Sequence, residues 1–179
     1  KQWRWLRRAG ADVFEPLPED RDQAFSKFGG LLLSMTRATH PKFMDWKDTY
    51  QNFEGWMTQG GEIDRWMLSE QDRGACEATA RELVARLGDE VIDAAVSRLP
   101  PEWYAIHGQE LAAALKKRRA GLVAAAGEYY ARLYRKVDVH GTDLDDAGRV
   151  VRHADGRLEI TVSKDGEPEP WFRRAYDPR

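Results

Sequence analysis

The spacing of hydrophobic and polar positions changes character several times along the chain. Residues 2–7 and 12–15 alternate around Ala9-Gly10-Ala11, which predicts a β hairpin whose second strand ends at Pro16 and Pro18. Phe25, Phe28, Leu31, Leu32 and Met35 then recur every three to four residues, which predicts a helix over residues 22–40 with Asp22 as its N-cap. Gly29-Gly30 weakens that helix by roughly 1 kcal/mol per glycine relative to alanine and marks a place for a bend or an early break. Residues 41–61 carry Phe43, Trp46, Tyr50, Phe53 and Trp56 at irregular spacing, the pattern of a packed loop with short pieces.

Helical periodicity returns at residues 63–68. Ser69, with Asp72 three residues on, predicts a capping box that opens a helix carrying Cys76, Ala80, Leu83, Val84 and Leu87, closed by Gly88. Asp89 is placed to cap the next helix, with Val91, Ile92, Ala95 and Leu99 on one face, until Pro100-Pro101 stops it. The longest helix is predicted over residues 109–136, with Leu111, Leu115, Leu122, Ala126, Tyr129 and Leu133 on one stripe. After Gly141 the period becomes two: strands are predicted at residues 149–153, 157–163 and 171–176, the first two joined across Asp155-Gly156. The fold expected is mainly α, a helical bundle with an N-terminal β hairpin and a C-terminal β-strand segment. Residues 1–137 form the helical unit, and residues 138–179 begin a separate β module whose strands find no helix left in the chain.

At 179 residues the chain suffices for one domain, or one domain and the start of another. With 42% hydrophobic and 32% charged residues it has a globular composition, and a net charge of -2 gives no overall attraction for nucleic acid. One cysteine, Cys76, excludes an internal disulfide and a cysteine-based zinc site. No stretch approaches the ~18 apolar residues of a membrane helix, so no membrane segment is expected. Trp3 and Trp5 enter the alternating pattern at once, and the chain stops at Asp177-Pro178-Arg179 just after a strand; these ends predict a piece of a larger protein.

The pattern with most chemistry in it is Pro16-Leu17-Pro18-Glu19-Asp20-Arg21-Asp22-Gln23-Ala24-Phe25. Asp20 and Asp22 stand two apart where a strand ends and a helix begins. Mg²⁺ is held by one or two carboxylates plus substrate phosphates, so this spacing suits a nucleotide-metal site. The plainer alternative makes Asp22 a helix cap and Asp20 a solvated turn residue. Elsewhere, His40, His107, His140 and His153 form no i,i+4 pair for a metal. Asp138, His140, Asp143, Asp145 and Asp146 lack the spacing and terminal Glu of an EF-hand and are expected in a solvated linker. Lys116-Lys117-Arg118-Arg119 is expected on the wet face of the long helix. The aromatics at 43–56 and 103–104 serve either as core or, in a non-catalytic helical interaction module, as a partner-binding surface.

The order of hairpin, Asp-x-Asp and helices, with Gln2-Trp3-Arg4-Trp5 and residues 16–25, resembles the atypical kinase-like proteins related to the spore-coat CotH and HipA kinases. It is most similar to a bacterial envelope group in which such a domain accompanies metallophosphoesterase or outer-membrane β-barrel segments. The resemblance implies that Asp20 and Asp22 are the metal pair for Mg²⁺ with ATP, and that the helices over residues 63–134 complete the larger lobe. It implies an Asp-Arg-His catalytic motif immediately before residue 1, and, as partners, a missing N-terminal lobe and a downstream β module in the cell envelope. A chain with only the metal side, lacking the Gly-rich loop and the smaller lobe with its Lys, is expected to hold no bound cofactor and to show no turnover alone.

Overall fold

The computed structural model describes residues 3–19, 24–27, 29–40, 45–69 and 71–177. The hairpin forms: β1 (Trp3–Arg7) pairs antiparallel with β2 (Phe14–Pro18), with Trp5 opposite Pro16 and Trp3 opposite Pro18. β2 therefore starts later than predicted and runs through both prolines instead of ending at them. A two-stranded ribbon leaves each strand one open edge, and prolines two apart turn their nitrogens to the same side, so neither removes a ladder donor. Gly10 supplies the left-handed turn position (φ 80°), and Arg8 clasps Glu15 at 2.8 Å across the ribbon.

α1 (Leu31–Thr39) begins only after Gly30, whose φ of 109° closes that position to a helix. The helix predicted from residue 22 is thus cut to its second half, and its apolar stripe turns outward: Leu31 and Leu32 are 79% and 80% exposed. α2 (Phe53–Met67) corrects the loop expected up to residue 61. Asn52, itself left-handed (φ 58°), accepts the Gly55 N–H on its side chain, and the helix passes straight through Gly55, Gly60 and Gly61. Packing against the long helix outweighs the low propensity of three glycines.

α3 (Arg73–Arg86) is capped by Asp72, whose carboxylate accepts the Ala75 N–H at 2.7 Å; the cap is Asp72 and not Ser69. α4 (Asp89–Val96) takes Gly88 as its N-cap, while Asp89 enters the first turn, and Ile92 and Val96 are buried. α5 (Pro101–Trp103) continues through a π-helical turn (Tyr104–Gly108) into α6 (Gln109–Leu133), which stops three residues before the predicted end. α6 is the central helix, packing on α2, α3 and α4. Its buried positions are small where neighbours approach: Ala114, Ala125 and Gly127. A Cβ at Gly127 would lie 2.8 Å from the Glu77 carboxylate on α3.

At the C-terminal end, β3 (Asp146–Arg152), β4 (Leu158–Lys164) and β5 (Phe172–Tyr176) form an antiparallel sheet in that order. Gly156 (φ 86°) makes the predicted turn between β3 and β4. One face carries the buried Val162, Phe172 and Arg174, which alternate with exposed residues along β5. Nearly half of the described residues are helical, and two small antiparallel sheets flank the helices in sequence. No helix among the described residues is long and apolar enough to cross a membrane.

Candidate functional site

Segments 24–27 and 45–52 converge on α6 and enclose an open-mouthed cavity of about 300 Å³. Phe25, held at φ 66°, stacks edge-on against Trp46 at 5.3 Å, and the Trp46 N–H donates to the Ser26 carbonyl at 3.0 Å. Trp56 from α2 forms another wall, in edge contact with Tyr50 and Phe53. Ser26, Asp45, Thr49, Gln51 and Asn52 supply the polar lining. A second cavity of about 420 Å³ shares Asp45, Trp46 and Lys47 with the first and extends along α6 past Ala113 and Ala114.

The basic run on α6 holds this structure together. Arg118 donates to the Lys47 and Thr49 carbonyls at 2.8 and 3.0 Å while its guanidinium lies 4.1 Å from the Tyr50 ring centre. Lys117 pairs with Asp48 at 2.6 Å, and that hydrogen bond holds the Asp48 carboxyl below its usual range against the opposing effect of burial. Lys116 reaches Asp93 at 2.8 Å, and Arg119 binds Asp89 at 2.7 Å and the Leu87 carbonyl at 2.6 Å. Lys117 keeps the solvated position expected of it, whereas Lys116, Arg118 and Arg119, expected on the same solvated face, instead clamp α4 and the 45–49 segment onto α6. Nearby, Lys27 and Glu110 fix the 24–27 segment at 2.5 Å.

Two tyrosines behind the cavity are tuned by burial. Tyr50 is pushed up by desolvation, with Arg118 opposing. Tyr129, whose ring neighbours Trp56, is raised further by burial and by donating its hydroxyl to Asp64.

Asp20 and Asp22, the predicted metal pair, lie outside the described residues, as does Phe43. Ala24 to Ser26, which begin two residues after Asp22 in the chain, line the cavity. The histidines are dispersed: His107 lies beside Trp103, His140 beside Trp66, and His153 faces Glu159 at 3.3 Å. Asp138 is paired with Arg65 and Lys136, and Asp146 accepts hydrogen bonds from Thr142 and Trp171. Among the described residues no three His, Cys, Asp or Glu side chains gather where they could share a metal ion. Around the cavities, Arg118, Lys117 and Lys27 donate to protein acceptors. The aromatics at 46–56 pack around α6, whereas Trp103 is 62% exposed.

Irregular aromatic spacing concealed both the cavity and α2 in the sequence; the one available signal was the density of Trp and Tyr among polar residues. No family model, curated protein or solved structure matches the chain.

Proposed function

We propose that the chain is the C-terminal part of a kinase-like phosphotransferase domain, joined to the beginning of a β module, from a bacterial envelope protein. In this reading Asp20 and Asp22 bind Mg²⁺ together with ATP, and the helices from α2 to α6 belong to the larger lobe. The observation that carries it is the order around the hairpin: β1 and β2 pair antiparallel, the chain then passes through Asp20 and Asp22, and residues 24–26 are tethered beside α6 at a cavity. A metal pair gains from a fixed strand end before it and a fixed anchor after it. When bound, Mg²⁺ would neutralise phosphate charge, while the chain supplies the two carboxylates and their support.

The test is binding of ATP to this chain with and without Mg²⁺, followed by calorimetry and by tryptophan fluorescence, since Trp46 and Trp56 line the cavity. Binding is expected to require both components, to be weak because Mg²⁺ keeps most of its waters, and to fall at least tenfold in Asp20→Asn/Asp22→Asn. Metal-independent ATP binding, or binding indifferent to the double substitution, would remove the metal pair from the proposal. No ATP hydrolysis is expected from the chain alone.

A second reading, a non-catalytic helical interaction module, is favoured by one observation: Trp103 and Ile106 stand 62% and 74% exposed on neighbouring turns. It takes precedence if Mg²⁺ and ATP together leave the chain unchanged.

A further inference from the structure

The geometry points to a binding site for a neutral, hydroxyl-rich ligand of the saccharide class in the cavity between Phe25, Trp46, Trp56 and Gln51. This inference stands apart from the phosphotransferase reading, because it involves neither Asp20, Asp22, a metal nor a nucleotide.

The size is at the small end for ligand sites, which run from about 300 to 1,000 Å³, and matches one or two sugar rings better than a larger cofactor. The walls join two kinds of surface. Phe25, Trp46 and Trp56 provide aromatic rings, which suit the C–H faces of a pyranose through apolar contact and weak C–H donation. Between them stand Ser26, Thr49 and Gln51. Hydroxyl and amide groups can both donate and accept, which is what ligand hydroxyls need.

The cations around the cavity are largely engaged within the protein. An anionic ligand requires uncommitted donors. Arg118 spends its Nη1 on two carbonyls and its face on Tyr50, and Lys117 and Lys27 are each paired with a carboxylate. Lys47 is the remaining cation of the lining, and phosphate and ATP therefore enter the test as charged controls. The polar atoms without a partner among the described residues include the Ser26 hydroxyl and the Gln51 side-chain carbonyl, both neutral. Thr49 Oγ1 already receives a Gln51 N–H at 2.9 Å, which orients the Gln51 amide at the rim.

The experiment is saturation-transfer NMR on the whole chain with glucose, maltose and N,N′-diacetylchitobiose, with inorganic phosphate and ATP as charged controls, all without Mg²⁺. At least one saccharide is expected to bind in the millimolar range, with its ring C–H protons receiving most saturation. Gln51→Ala, at an exposed position outside the helices, should weaken that binding about fivefold to tenfold, as loss of one or two hydrogen bonds does. Trp46→Phe keeps a ring against Phe25 and should weaken it less than Gln51→Ala together with Ser26→Ala. An unchanged thermal midpoint separates lost binding from lost folding. Failure of all three saccharides to bind, binding that ignores Gln51→Ala, or phosphate competing for the site would each overturn the inference. None of these outcomes bears on the Mg²⁺-dependent ATP test, and saccharide binding should be the same in Asp20→Asn/Asp22→Asn.

Discussion

The guanidinium carbon of Arg174 on β5 lies 4.6 Å from the centre of the Tyr134 ring just beyond α6, and Tyr130 and Tyr176 complete an aromatic enclosure around it at 5.7 and 5.3 Å. Arg174 is 7% exposed and has no carboxylate partner among the described residues. Its Nη1 and Nη2 donate to the Ser69 carbonyl and, at 2.8 Å, to the Tyr130 hydroxyl, while Nε is buried without an acceptor among the described residues, so one side chain links the C-terminal sheet to both the α2–α3 junction and α6. The charge is tolerated in a buried place because ring faces replace part of its hydration, and a guanidinium is weakly hydrated to begin with.

Removing that side chain should loosen the sheet before the helices. Arg174→Ala forfeits desolvated cation–π contact and two hydrogen bonds, and is expected to cost about 2–4 kcal/mol in urea unfolding. Arg174→Lys keeps a charge but cannot stack and fork at once, so it should fall between the two. Hydrogen exchange is the sharper measurement: amides of β4 and β5 should lose protection while those of α3 and α6 keep theirs. Equal protection everywhere in Arg174→Ala would mean that the sheet is held by its apolar face alone.

Acid should destabilise the fold through its carboxylates. Asp48, Glu77, Asp89 and Glu110 are each held below their ordinary range first by a hydrogen bond from a cation, namely Lys117, Arg73, Arg119 and Lys27. Asp146 is lowered first by the Thr142 backbone N–H. A carboxyl depressed in the folded state stabilises it above the unfolded value and loses that contribution as pH falls through the folded one. Stability should therefore be level from neutrality to about pH 5 and decline below about pH 4, through the ordinary carboxyl range and beyond it. Urea midpoints across this window check it, and Asp146→Asn should flatten part of the slope. A decline beginning near pH 6 would instead implicate a histidine.

The sequence disclosed those elements whose residues act through local rules. The Asp155-Gly156 turn, the three C-terminal strands and the break at Gly29-Gly30 follow from backbone preferences, which need no knowledge of neighbours. The misjudged elements depend on distant partners. α2 forms across three glycines because Phe53 and Trp56 pack toward α6, and Lys116, Arg118 and Arg119 clamp rather than solvate because Asp93, Asp89 and loop carbonyls come within reach. The cavity was illegible for the same reason, since Phe25, Gln51 and Arg118 are brought together only by the fold. Asp20 and Asp22 lie outside the described residues.

The start of α3 offers a local test of capping. Ser69 and Asp72 have the spacing of a capping box, but only Asp72 receives the Ala75 N–H. Asp72→Ala should cost about 1 kcal/mol, and Asp72→Asn much less, since an amide oxygen accepts equally well. Ser69→Ala should stay within about 0.5 kcal/mol, because what Ser69 contributes is its backbone carbonyl to Arg174. Thermal or urea unfolding of the three variants distinguishes these positions, and a larger loss at Ser69 than at Asp72 would contradict the observed cap.

Arg118 should matter more than any other member of its basic run, and for reasons of packing. Its Nη1 is shared by the carbonyls of Lys47 and Thr49, two loop acceptors on no helix or strand, and its plane covers Tyr50. Arg118→Ala takes the donor from both carbonyls and uncovers the ring together, a loss of about 2–3 kcal/mol. Arg118→Lys can satisfy one carbonyl or sit over the ring, and should recover about half. Lys117→Ala, which removes an exposed ion pair next door, should change stability little. The local readout is Trp46: its N–H donates to Ser26, and its ring lies between Phe25 and Arg118. In Arg118→Ala the Trp46 amide should exchange faster and tryptophan emission shift to the red, as the 45–49 segment and residues 24–26 part from α6. If the Trp46 amide keeps its protection, the segment is anchored by Lys27–Glu110 and Lys117–Asp48, and the double variant Lys27→Ala/Lys117→Ala should then release it.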